Sequence, residues 1–178
     1  IIASYVNFPE IFLNPTTQDI SENPLARDIN SADGQELTGI LPFFADSTTT
    51  ASSKESIVVA FKSNSIYAFN IDNSVGAQKL DTQGLGCTAP YSLASVNGAI
   101  MFANNAGIYA VSRQLEMVYI GKLMEKQWDR VSKDYLENLH GHNFSLNRQY
   151  KLSVPVNKSK DPSEVFVFDY SASTEEGI

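Results

Sequence analysis

The chain has 178 residues, 43% of them hydrophobic, enough for one domain of ordinary size with its own core. Its 13 Lys and Arg stand against 20 Asp and Glu, a net charge of −7, which argues against a surface of clustered cations gripping phosphate backbones. No apolar run approaches the roughly 18 residues that would span a bilayer, and no charged-then-apolar leader opens the chain.

A chain that begins Ile1-Ile2 and ends Glu175-Glu176-Gly177-Ile178 is expected to be part of a longer polypeptide. The lone Cys87 can form no internal disulfide and no cysteine zinc site, and it reads as a small buried apolar residue. Ten Phe and 8 Tyr against one Trp, interleaved with Val and Ile, favour pleated surfaces.

Residues 1–55 read as a loop-rich connecting segment. Ile1-Ile2-Ala3-Ser4-Tyr5-Val6 is an initial strand, and Pro9, Pro15 and Pro24 then break any continuous element. Asp33-Gly34 marks a turn, and Leu37 to Phe44 is a short apolar segment whose periodicity fits either strand or helix. Ser47 to Ser53 is too polar to pack.

Residues 56–178 carry about three hairpins. Ile57-Val58-Val59-Ala60-Phe61-Lys62 is followed by a Ser63-Asn64-Ser65 turn and a return strand, Ile66-Tyr67-Ala68-Phe69-Asn70. Ala99 to Ala103, Asn104-Asn105-Ala106-Gly107 and Ile108 to Val111 repeat the unit. Phe61 aligns with Phe102 and Ile66-Tyr67-Ala68 with Ile108-Tyr109-Ala110, a spacing of 41 to 42 residues. Asn in each turn supplies the tolerance of positive φ that tight hairpins use. A third hairpin runs from Tyr150–Val154 to Val165–Tyr170. Recurrence near 40 residues, each unit a small sheet, is the signature of propeller blades, so the expected fold is all-β with one short helix, part of a β-propeller built from antiparallel hairpin blades; a sandwich or open barrel is the competing reading. The helix is expected at 123–139, where Trp128, Val131, Tyr135 and Leu139 fall near helical spacing and Gly141 serves as the stop.

No residue set earns a catalytic, cofactor or metal assignment, and the chain is not expected to be an enzyme. His140 and His142 would share a face and could ligate a metal on a strand; beside Gly141 at a helix end they read as caps or exposed side chains. Asp28 to Gly34 is rich in side-chain oxygen but lacks the EF-hand register, and reads as a turn. Gly84-Leu85-Gly86 lacks the third glycine of a dinucleotide fingerprint. Glu175-Glu176 and the pair Asp161 and Glu164 sit in surface stretches, with nothing to make them the facing carboxylates of a hydrolase. Asn143-Phe144-Ser145 and Asn157-Lys158-Ser159 match a glycosylation sequon, as chance provides in a chain rich in Asn and Ser.

Seven short pieces also occur in a telling order. They are Asn7-Phe8-Pro9-Glu10-Ile11-Phe12, Leu37 to Phe43, Ser65-Ile66-Tyr67, Gly86-Cys87-Thr88-Ala89-Pro90-Tyr91-Ser92, and Gly98 to Phe102 with Gly107-Ile108-Tyr109. Ile120-Gly121 with Trp128 follows, then Asn147-Arg148-Gln149-Tyr150 through Val154-Pro155 and Val165 to Tyr170. In this order the chain resembles the tail nozzle (tail tubular protein B-like) family of short-tailed bacteriophages, whose members are usually several times longer. The resemblance implies a virion structural protein, without cofactor. Its copies would form a cyclic homo-oligomer next to the tail adaptor and tail fibres, around the channel through which DNA leaves. The acidic balance suits such a wall, which repels DNA and lets it slide. A propeller-type recognition module for a protein or glycan is the alternative.

Overall fold

The computed structural model describes residues 29–46, 54–70 and 77–171. The strand expected at Ile1 to Val6, the polar stretch Ser47 to Ser53, Asp28 and Glu175-Glu176 lie outside them.

Among the described residues eleven strands form three antiparallel sheets, each a meander in chain order. The first sheet holds β1 (Leu37–Asp46), β2 (Lys54–Lys62), β3 (Ile66–Phe69) and β4 (Gln78–Lys79). The second holds β5 (Ala94–Val96), β6 (Ala99–Asn104), β7 (Gly107–Val111) and β8 (Met117–Tyr119). The third holds β9 (His140–Phe144), β10 (Gln149–Val154) and β11 (Glu164–Asp169). All three expected hairpins are present, the molecule is mostly β, and the ambiguous segment from Leu37 is a strand paired with β2 along its length. Among the described residues the three sheets do not close into a ring. Pro42 sits in β1, which has β2 as its one neighbour among the described strands, and a proline on such an edge deters pairing by another chain.

The sheets stack face to face. Phe43, Val59, Phe61 and Ile66 from the first sheet and Ile100, Phe102, Tyr109 and Val111 from the second form one buried cluster. Met101, Ala103, Ile108 and Ala110 point the other way, into a cluster with Trp128, Tyr150, Leu152 and Phe166. Every residue of β6 and β7 is therefore buried, because strand alternation supplies an apolar side chain to both faces.

The register corrects the letter-for-letter repeat. Phe61 pairs with Ile66 in the first sheet, whereas Ile108 pairs with Ala103 in the second. Ala103 is thus the counterpart of Phe61, and the spacing is 42 residues on both strands. Phe61 and Phe102 are instead opposing faces of one seam, their rings 5.3 Å apart. The turn mechanism also differs. Neither Asn64 nor Asn105 has positive φ. Asn104 closes its turn with its side chain, Oδ1 accepting from the N–H groups of Ala106 (2.8 Å) and Gly107 (3.2 Å) while Nδ2 donates to Gly86 O. The left-handed pair used for a hairpin is Asn97 (φ 47°) and Gly98 (φ 79°), between β5 and β6.

The one short helix is present, but it covers only part of 123–139. Residues 121–139 break into a 3₁₀ turn (Gly121–Met124), one α-turn, α1 (Glu125–Trp128), and a kinked 3₁₀ stretch (Lys133–Asn138). Tertiary bonds take over between them: Ser132 N–H donates to Pro155 O at 2.8 Å, Asn157 N–H donates to Arg130 O at 2.9 Å, and Val131 bridges to Val156. Trp128 does anchor the segment. It is buried against Phe166, and its indole N–H donates to Asn105 O at 3.2 Å.

Candidate functional site

Residues 140–144 form β9, an edge strand, so the helix end expected at His140 to His142 is corrected. The reason lies at Gly141, which faces Leu152 on β10 and has Ser92 O and the Tyr150 hydroxyl where a Cβ would sit. Glycine here admits a close strand approach and does not stop a helix. Tyr150 OH donates to Ser92 O at 2.6 Å, and Ser92 Oγ in turn accepts from Ala103 N–H at 2.8 Å. This buried chain ties the third sheet to the second, and desolvation pushes the Tyr150 phenol far above its ordinary range.

With Gly141 turned inward, alternation turns His140 and His142 outward, and both are exposed. His140 is stacked on Tyr91, rings 5.4 Å apart and 24° from parallel; Tyr91 is itself 64% exposed. Ser153 lies opposite His140 and Lys151 opposite His142, and the Lys151 ammonium sits 4.4 Å over the Phe144 ring. Asn143 faces inward, donating to Ser95 O and accepting from the Tyr170 hydroxyl. Both ends of its amide are used, so this sequon residue is a seam contact.

The two outer faces of the stack differ. The third sheet presents the histidines, Lys151, Ser153 and Asp169 beside half-exposed Val165 and Val167. The first sheet presents Ile40, Pro42 and Phe44 beside Val58, Tyr67 and Phe69, with Ile29 packed on the latter two. A void between the second and third sheets, lined by Ile108, Met124, Tyr150, Leu152 and Phe166 among others, holds about 10 Å³, room for one water.

The remaining sequence candidates take structural roles. Asp33 accepts from Lys62 Nζ at 2.9 Å, and that buried ammonium also donates to Asn30 O. The Lys62 hydrogen bond, then the Gln35 N–H, hold the Asp33 carboxyl below its usual value. Cys87 is fully buried, and desolvation raises its thiol to about 11. Gly84 lies in a turn beside Gln83, both with positive φ. Glu164 pairs with Arg130 at the surface, and Asp161 is exposed. Lys133 lies 4.1 Å over the Trp128 ring and donates to Trp128 O; burial lowers its amine to about 8 while Asp129 pulls it up. Among the described residues, no three His, Cys, Asp or Glu converge as metal ligands, and no helix is long and apolar enough to cross a membrane. A tyrosine beside the histidines was within reach of the sequence as the Ala-Pro-Tyr-Ser turn, but only the fold brings Tyr91 to His140. No protein-family model matches the chain, and no curated protein matches it.

Proposed function

We propose that the chain is part of a virion structural protein, a tail nozzle or tubular component whose copies ring the DNA exit channel, and that its three sheets are blades of a β-propeller. One observation carries the reading. Successive meanders stack face to face in chain order at a constant 42-residue step between the first two, with the middle sheet buried on both sides. A small twisted sheet cannot bury two faces alone, and stacking neighbours is how propellers solve this.

The residues behind the nozzle resemblance also occupy the seams of this stack. Cys87 and Ala89 pack between sheets, Ser92 accepts from Tyr150, and Gly107-Ile108-Tyr109 forms β7 with side chains in both clusters. An excess of seven acidic side chains suits a wall past which DNA slides. Mass photometry and electron microscopy of the full-length protein test the reading. A cyclic ring with an axial channel is expected; a monomer overturns it. The exposed Tyr91–His140 stack favours a second reading, a recognition module for a protein or glycan. A monomer that binds on a glycan array would select it.

A further inference from the structure

We propose that His140 and His142 form a two-nitrogen chelate for a borderline divalent transition metal, Cu²⁺ or Zn²⁺, on the outer face of β9. The argument starts from strand geometry. Residues two apart on a strand project from the same face about 6.6 Å apart. Metal–imidazole bonds of about 2.0–2.1 Å require donor nitrogens roughly 3 Å apart. Rotation of the two side chains toward each other from adjacent same-face positions would close that difference.

The surroundings favour this use. Both histidines are exposed, on a strand whose pairing with β10 and whose inward Gly141 hold it in place. Tyr91 stacks on His140 and restricts its ring plane, so less side-chain freedom is lost on binding. Ser153, small and uncharged, lies opposite His140. The one cation opposite the pair, Lys151, has its ammonium over Phe144, two residues beyond His142 and on the side away from His140. Imidazole nitrogen suits Cu²⁺ and Zn²⁺ over Mg²⁺ or Ca²⁺, and two protein ligands leave positions open for water or a partner's side chain. The proposal is independent of the ring reading above.

These are the only two histidines in the chain, which makes the test unambiguous. The purified protein is titrated with Cu²⁺ and followed by electron paramagnetic resonance and calorimetry. A single site is expected, with hyperfine splitting from two equivalent imidazole nitrogens. His140→Ala and His142→Ala should each weaken it at least ten-fold, with circular dichroism unchanged because both side chains are exposed. Splitting from one nitrogen, or wild-type affinity in the double variant, overturns the proposal.

Discussion

Gly141→Ala tests whether β9 is held where the structure places it. The added methyl meets the Ser92 carbonyl and the Tyr150 hydroxyl, which are 2.6 Å from each other and both buried. Overpacking at such a site costs about 1–3 kcal/mol. Displacing the hydroxyl leaves a buried carbonyl unpaired, a further 1–3 kcal/mol. A loss of about 2–6 kcal/mol follows, at roughly 2–4 °C in Tm per kcal/mol for a chain of this size. Tyr150→Phe alone should cost about 1–3 kcal/mol, since it leaves the same Ser92 carbonyl unpaired without the overpacking. The double variant should cost less than the two combined, because loss of the hydroxyl frees part of the space the methyl needs. Coupling between contacting groups of this kind runs at about 0.5–3 kcal/mol. Urea unfolding followed by tyrosine fluorescence measures all three. A Gly141→Ala change within about 0.5 kcal/mol of wild type, as for an exposed surface site, would refute the argument, as would strict additivity.

Two more predictions concern the partner of buried Lys62, Asp33, and the buried thiol of Cys87. The folded pKa of Asp33 lies below its unfolded value of 3.8, so its contribution is present above that value and is lost as pH falls through the folded one. Urea midpoints between pH 2 and 5 should show this loss in wild type and a smaller one in Lys62→Met; equal slopes would remove Lys62 as the cause. Cys87, buried with its thiol near 11, should react with iodoacetamide at pH 8 far more slowly in the native protein than in urea. Equal rates would contradict the seam in which Cys87 packs.

The strand content was legible because β-branched and aromatic runs bounded by Asn, Gly and Ser carry their signal locally. Ile57–Lys62, Ile66–Phe69, Ala99–Ala103 and Ile108–Val111 needed no tertiary information. The Asn97-Gly98 turn, a strong short hairpin signal, is missing from the sequence-based expectations, because the strand before it, β5, has only three residues. Residues 123–139 have helical spacing, but backbone bonds from this segment to Pro155 and Asn157 outweigh propensity there, as tertiary context routinely does.

What the sequence determined by itself, then, is that the chain makes paired strands with apolar side chains on both faces. Which strand faces which was a tertiary decision. A one-residue shift of register, 42 residues in place of 41, puts Ala103 at the position of Phe61 and turns Phe102 against Phe61, because the side-chain period of a strand is two. The same rule acts at His140 and His142. Their spacing is visible in the sequence, but they share an exposed face only because Gly141, between them, is the residue small enough to meet Ser92.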